Sequence, residues 1–231
     1  GYLAESLKDA WLAHYQHNAV KQPYSYNQKD AAKRLFKNTC LVYLTALTSQ
    51  EIQALSEQQF QQADNMTDSM AALSAAVSQG NPNAQAMLQA FFDQWQHEPL
   101  VLDKWLIVQA CSAHFGTLEK VRKLCEHPAF SMKNPNKVRS LLGVFAKDNL
   151  SQFHVSSGEG YSFIADKVLE VDALNPSVAS RVVEPLVQWR RFDVGRQALM
   201  KAQLIRILNH PNLSGGTYEI VSKSINVKEK N

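Results

Sequence analysis

The stretch NPNKVRSLLGVFAKDN, residues 134–149, combines a well-specified helix start with an apolar stripe. Asn134 offers an N-cap side chain, and Pro135 suits the first helical position, where a missing N–H costs nothing and a fixed φ helps. Apolar residues then follow at i, i+3, i+4 and i+7, the spacing of one α-helix face: Val138, Leu141, Leu142 and Phe145. The stretch therefore predicts an amphipathic helix.

Similar helix starts occur elsewhere in the chain. The segment NPSVASRVVEP, residues 175–185, repeats the Asn-Pro arrangement, and Asn81–Pro82 has the same form. Thr67 is a further candidate N-cap, with Asp68 adding favourable negative charge to the first turn. These signals predict helices that begin near Thr67, Pro82 and Pro176, with boundaries uncertain by about two to four residues.

The helix ends and breaks point to an all-α protein. Gly80 follows an apolar helical stripe, where a left-handed C-cap is favoured, and Pro185 predicts a kink near Glu184. No segment shows the alternation of a strand bounded by turn residues. We expect about ten to twelve helices, arranged as a superhelical solenoid of stacked antiparallel helix pairs of the HEAT/ARM type.

Composition indicates an ordinary globular chain with uneven charge. Hydrophobic residues make up 45% and charged residues 19%, and the formal net charge is +3. Residues 38–103 contain seven acids and no Lys or Arg, whereas residues 104–231 contain 18 basic and 11 acidic residues. Such asymmetry fits an anionic partner, attraction between the two halves, or packing on another domain. The many interspersed acids argue against a nucleic-acid partner.

The cysteines and apolar runs bear on the cellular compartment. Cys40, Cys111 and Cys125 are odd in number and lack CxxC spacing, so we expect buried thiols in a reducing, cytoplasmic setting. No apolar run reaches the length that spans a bilayer, so no membrane partner is expected. The first eight residues do not resemble a secretory signal. Because the sequence does not begin with Met, we expect residues 1–231 to be a single domain from a longer polypeptide.

Two arginines lie near the predicted helix starts. Arg139 and Arg181 both fall off the apolar stripes of their helices, and a cation close to a helix N-terminus is mildly unfavourable. Two such side chains at one edge of a solenoid would suit bidentate binding of a carboxylate. The alternative is that both are ordinary solvated or structurally paired arginines.

Recognisable catalytic motifs are absent. His97–Glu98 begins a zinc-hydrolase motif, but Pro99 follows and the second His is missing. His14 and His17 lie at i and i+3 without a third ligand, so we expect no metal site in this chain. The segment SSGEGYSF, residues 156–163, lacks the third glycine of a dinucleotide loop. We therefore expect no catalytic residues and no cofactor in this chain.

Seven segments, in order over nearly the whole chain, carry a resemblance to a known family. They are AAKRLFKNTCLVYL (31–44), DNMTDSMAALSAAV (64–77), LVLDKWLIVQA (100–110), FSMKNPNKVRSLLGVFA (130–146), GEGYSFIAD (158–166), LNPSVASRVVEPL (174–186) and NLSGGTYEIVSKSI (212–225). The chain resembles the C-terminal helical domain of the bacterial aminopeptidase N family, which are zinc-dependent gluzincin peptidases. In that family the zinc ligands and catalytic groups belong to a preceding domain.

The resemblance implies a role for this chain. The family's C-terminal domain caps its own upstream catalytic domain, closes the active-site chamber and restricts access to short peptides. Arginines in the family's N-x-x-R-S and A-S-R segments face the chamber, and they match Arg139 and Arg181 here. The resemblance thus implies an inactive capping domain of a cytoplasmic metallo-aminopeptidase, with zinc only in the parent enzyme.

Two other readings of the sequence remain. One is a non-enzymatic helical solenoid that binds a protein partner along its concave face. The other is a nucleic-acid-binding module that uses the basic C-terminal half, which predicts strongly salt-dependent binding.

Overall fold

A computed structural model of the chain describes residues 2–226. The described residues contain helices and no strand, which confirms the all-α prediction. Ten of the helices in this range have nine residues or more, in line with the expected number. The chain divides into two compact units, Gly1–Glu98 and Pro99–Asn231. The assignment of residues 1–231 to one domain of a longer polypeptide stays a prediction.

The first unit consists of consecutive helices joined by short connections, except for the ten residues between α2 and α3. They are α1 (Tyr2–Ser6), α2 (Lys8–His17), α3 (Gln28–Leu44), α4 (Gln50–Gln62), α5 (Met66–Gln79) and α6 (Ala84–Trp95). Helix α2 packs on α3 and α4 packs on α5. Only three residues separate α4 from α5, a connection that makes packed neighbours antiparallel.

Helix boundaries in the first unit confirm some signals and correct others. Gly80 ends α5 in the left-handed conformation, with φ 67°, as predicted. The N-cap of α5 is Asn65, whose side chain accepts from the Asp68 N–H at 2.9 Å, so the assignment of Thr67 as the cap was wrong. Because Asn65 and Thr67 lie two residues apart and both are good N-caps, the sequence did not separate them.

The Asn81–Pro82 signal was also wrong. Helix α6 begins at Ala84, two residues beyond Pro82. The buried Asn81 side chain accepts from the Asn83 N–H at 2.8 Å and donates to the carbonyl of Gln53 at 3.3 Å. Asn81 therefore forms a turn and holds α4, instead of capping a helix.

A buried polar network joins the helices of the first unit. Asp68 pairs with Lys37 at 2.8 Å and accepts from Asn38 at 2.9 Å. Gln59 donates to Asn38 and accepts from the hydroxyl of Tyr15 at 2.7 Å. Burial, with a smaller contribution from the charge of Asp68, raises the pKa of Tyr15 to about 12. Because each member has a partner, the network stabilises one arrangement of α2 to α5.

The second unit begins with α7 (Pro99–Ala110) and contains shorter and interrupted helices. The others are α8 (Thr117–Cys125), α9 (Pro135–Val138), α10 (Val144–Asp148), α11 (Leu150–Phe153), α12 (Glu159–Asp172), α13 (Pro176–Val182), α14 (Glu184–Val187), α15 (Val194–Leu208) and α16 (Gly215–Asn226). A π-helical turn, Arg139–Gly143, joins α9 to α10, and a 3₁₀ turn, Trp189–Arg191, follows α14.

Both Asn-Pro starts in this unit are confirmed, and one predicted continuous helix is corrected. Asn134 caps α9 by accepting from Asn136 N–H, and Asn175 caps α13 by accepting from Val178 N–H. The helix predicted from residue 135 is not α-helical throughout, since Val144 N–H bonds to the Arg139 carbonyl five residues back. Its four stripe residues are nevertheless fully buried, as the spacing predicted.

The predicted kink at Pro185 is confirmed as a break. Helix α13 ends at Val182, and α14 restarts at Glu184 with Pro185 in its first turn. A proline has no N–H for the preceding turn, so it restarts a helix more readily than it continues one.

The cysteines differ from the expectation at one position. Cys40 is buried and Cys125 is half-buried, whereas Cys111 is exposed at the end of α7. All three are free thiols, and burial raises the pKa of Cys125 to about 11.

Within residues 2–226, no helix has the length and apolar character needed to cross a bilayer.

Lys137 anchors the start of the interrupted helix. Its side chain is buried, and its Nζ lies 2.8 Å from Asp103 Oδ1 and donates to the Pro99 carbonyl at 2.6 Å. Both partners belong to α7, on which the π turn also packs. The ammonium group therefore fixes the residues just before Arg139 against α7.

Gly160 permits a close approach between α11 and α12. A Cβ at this position would lie 2.5 Å from the carbonyl oxygen of Phe153, which is shorter than any tolerated contact. The carbonyl is backbone in a packed turn, so relief requires the two helices to separate.

We predict that Gly160→Ala lowers the free energy of unfolding by roughly 1–3 kcal/mol, because overpacking outweighs the helical preference for Ala. Urea denaturation of the variant and the parent protein measures the difference. Gly215→Ala is the matched control, since nothing lies within 4 Å of its added Cβ, and its change should be within about 0.5 kcal/mol. A Gly160→Ala protein as stable as the parent would contradict the prediction.

We also predict that Lys137→Met lowers the free energy of unfolding by about 3–5 kcal/mol, because it leaves the Asp103 carboxylate buried without a counter-ion. The double variant Lys137→Met/Asp103→Leu should recover most of the loss in the same urea experiment. Lys120→Met, at an exposed position of α8, is the control and should change little. Equal losses in the single and double variants would contradict a role for the pair.

Candidate functional site

The second unit contains a cavity of about 530 Å³ lined by two stretches of chain. The first stretch lies between residues 139 and 154, and the second between residues 181 and 192. Arg139 and Arg181, the two arginines selected from the sequence, both line this cavity. The stretches come from the two interrupted helical regions of the fold, where the π turn and the Pro185 break redirect the chain.

Arg139 lies at the first position of the π turn. Its side chain is exposed, and its Nε donates to the Pro135 carbonyl at 3.2 Å, one turn back. That bond holds the stem of the side chain along α9 and leaves the two terminal guanidinium nitrogens available. Lys137, two residues earlier on α9, donates instead to the Pro99 carbonyl of α7, so the two nearby cations have different roles.

Asn149 fixes the far end of the first stretch. Its buried side chain donates to the carbonyls of Ala110 and Ser112 at 2.8 and 2.7 Å, at the end of α7. Its oxygen accepts from the Gln152 N–H and so caps α11. Lys137 and Asn149 thus attach the first stretch to the two ends of one helix.

The second stretch presents one side of a broken helical path to the cavity. Arg181, Glu184, Gln188 and Arg191 line the cavity at spacings of three, four and three residues, which is the periodicity of one helix face. Arg191 belongs to the 3₁₀ turn that follows α14. The sequence patterns did not single out Arg191, although it lies ten residues after Arg181, on the other side of Pro185.

An aromatic contact joins the ends of the two stretches. The rings of His154 and Phe192 stack with centroids 4.1 Å apart, and His154 Nδ1 lies 2.9 Å from the Tyr161 hydroxyl. Burial, together with the charge of Arg196, lowers the pKa of His154, so the ring is neutral near pH 7. Arg196 Nε also donates to the His154 carbonyl at 2.7 Å.

Cations outnumber acids around the cavity. Its positively charged lining residues are Arg139, Lys147, Arg181 and Arg191, and its negatively charged lining residues are Asp148 and Glu184. Within residues 2–226 none of the four cations forms a salt bridge. Free guanidinium groups around one concave site favour a ligand with carboxylate groups.

Two further features of residues 2–226 bear on function, the His14–His17 pair and a second cavity. Residues 2–226 contain no cluster of three His, Cys, Asp or Glu side chains with metal-binding geometry. His14 and His17 lie on α2, where the ring of His14 contacts Phe36. Another cavity, of about 610 Å³ between α8 and α12, has three basic and three acidic lining residues that balance one another.

Comparison with known proteins identifies relatives along the whole chain. A family model described as "Domain of unknown function (DUF3458_C) ARM repeats" matches residues 1–226, in agreement with the predicted stacking of helix pairs. Aminopeptidase N of Escherichia coli (strain K12) is 42% identical over 223 residues, which are 96% of this chain and 26% of that protein. Aminopeptidase N of Haemophilus influenzae is 41% identical over 225 residues, which are 96% of this chain and 25% of that protein.

A solved structure shows the same fold. The crystal structure of Legionella pneumophila aminopeptidase A in complex with aspartic acid matches with a TM-score of 0.88 and 29% identity, over 97% of this chain and 27% of that one. The chain spans about a quarter of the length of each of these relatives. It belongs to the DUF3458_C family of ARM-repeat domains and is homologous to the C-terminal part of bacterial aminopeptidase N.

Proposed function

We propose that this chain is the C-terminal capping domain of a zinc-dependent aminopeptidase N that removes N-terminal residues from peptides. The observation that carries the proposal is the homology to aminopeptidase N over 96% of the chain, with only about a quarter of the relative covered. The remaining three quarters of such a protein would contain the catalytic domain, which is the partner of this chain.

In this proposal, catalysis and the selection of peptides belong to different domains of one polypeptide. Zinc in the catalytic domain would polarise the scissile carbonyl and activate a water molecule. This chain would close the chamber around that site and restrict entry to short, unfolded peptides. Free thiols at Cys40, Cys111 and Cys125 support a cytoplasmic location.

Arg139 and Arg181 would supply the electrostatic part of this role. Both are exposed, line one cavity and lack salt bridges within residues 2–226. A guanidinium group binds a carboxylate with two parallel hydrogen bonds, so the pair suits the C-terminal carboxylate of a bound peptide. Such a contact is remote from the reacting carbonyl and therefore contributes to binding more than to the chemical step.

We predict that the complete polypeptide releases N-terminal residues from peptides and that a zinc chelator abolishes this activity. Added Zn²⁺ should restore the rate, which is followed by chromatography of the released amino acids. The control is a peptide acetylated at its N-terminus, which an aminopeptidase does not cleave. Cleavage of the acetylated peptide, or activity that survives complete removal of the metal, would contradict the proposal.

We predict that Arg139→Ala in the complete polypeptide raises KM about three- to tenfold and changes kcat less, because one charge-assisted contact is lost in the bound peptide. The effect should disappear with peptides whose C-terminus is an amide, since these lack the carboxylate. Lys120→Ala, at an exposed position of α8, is the control for loss of one positive charge. If Arg139→Ala leaves KM and kcat unchanged for peptides with a free C-terminal carboxylate and for peptides with a C-terminal amide, Arg139 does not contact the bound peptide.

A further inference from the structure

The cavity has two distinct ends. At one end the π turn that contains Arg139 packs on α13, which contains Arg181. At the other end the His154 ring stacks on Phe192, the residue next to Arg191. The two stretches therefore run side by side in the same direction. We call the first the Arg139 end, formed by Arg139 and Arg181, and the second the Arg191 end, formed by Arg191 beside the His154–Phe192 stack.

The charge pattern between these ends is alternating. Along the second stretch the lining residues are cationic Arg181, anionic Glu184, neutral Gln188 and cationic Arg191. Glu184 repels an anion placed in the middle of the cavity, whereas the two arginines attract one at either end. A ligand with two separated negative groups fits this pattern better than a single compact anion.

The separation of the ends sets the spacing of those groups. Ten residues of a straight helix would span about 15 Å at a rise of 1.5 Å per residue, and the break at Pro185 shortens the direct distance between the two ends. An extended peptide advances about 3.3–3.6 Å per residue, so roughly four residues are the upper limit for spanning the two ends.

We propose that the Arg191 end is a second anion subsite, which binds an acidic side chain up to about four residues before the C-terminal carboxylate of a peptide held at the Arg139 end. The proposal rests on the proposed function for the identity of the ligand as a peptide. Arg191 is exposed and has no salt bridge within residues 2–226, so its guanidinium is available.

The neighbouring groups support a subsite of this kind. His154 is held by the Tyr161 hydroxyl on one ring nitrogen and by Phe192 on one ring face, so it forms a rigid, neutral wall beside Arg191. Lys147 on the first stretch adds a second cation to the lining, while Asp148 beside it reduces the field there. An uncharged wall leaves Arg191 as the group that selects for charge at this end.

The test compares octapeptides that differ only by Glu or Gln at one of positions two to six before the C-terminal residue. With the complete polypeptide, the ratio of kcat/KM for Glu over Gln should be about three to ten at one of the positions up to about four residues from the C-terminus. The Glu/Gln ratio should fall in 0.5 M NaCl, because salt at this concentration screens the attraction between charges more than a few ångströms apart.

Variants assign the preference to one residue. Arg191→Gln should bring the Glu/Gln ratio close to one, and Arg191→Lys should retain most of it because the positive charge remains. Arg139→Ala should reduce the preference for peptides with a free C-terminal carboxylate over peptides with a C-terminal amide. It should leave the ratio of kcat/KM for Glu over Gln peptides unchanged. Lys120→Gln is the control for a lost surface charge and should leave both ratios unchanged.

The outcomes separate this inference from the proposed function. A parent ratio of one at every position, or a ratio that Arg191→Gln does not change, would overturn the subsite while leaving the aminopeptidase assignment intact. If no peptide is cleaved, binding of N-acetylated, fluorescently labelled Glu and Gln peptides to the complete polypeptide is measured by anisotropy. Equal dissociation constants would then overturn the subsite, and tighter Glu binding that Arg191→Gln removes would support it.

Discussion

The ion pair between Lys137 and Asp103 is the constraint on which the cavity depends. An ammonium group is costly to bury, and it is tolerated here because the Asp103 carboxylate and the Pro99 carbonyl surround it. The contact fixes the short α9 against α7 just before the π turn. With Asn149 bound to the other end of α7, the first wall of the cavity is attached at both ends and presents Arg139 from a rigid backbone.

The cavity forms where regular helices are interrupted. The π turn lengthens one helical path by a residue, and the Pro185 break redirects the other, so that residues spaced ten apart still face the same space. Several unpaired cations around one concave surface repel one another, an arrangement that a carboxylate ligand relieves. Irregular backbone and uncompensated charge at the same place are typical of binding sites and unusual in purely structural contacts.

Homology indicates the kind of protein to which this chain is related, and the charges around the cavity indicate the kind of ligand that it could bind. The relatives are aminopeptidase N proteins about four times as long as this chain. The chain itself offers shape and a field directed at carboxylates. In the proposed function, a domain of this kind would govern which peptides bind and in what position, and the rest of the polypeptide would carry out the chemical step.

The sequence by itself determined the all-α class, the two Asn-Pro helix starts and the left-handed Gly80, because these depend on contacts within a few residues. It also singled out Arg139 and Arg181, since both lie off the apolar stripes. Tertiary structure decided the rest. Lys137 and Arg139 look alike as cations on one helix, and only the position of α7 makes the first a buried anchor and leaves the second in the cavity. Arg191 joins the site because the His154–Phe192 stack brings together segments about forty residues apart in the chain, a distance over which local patterns carry no information.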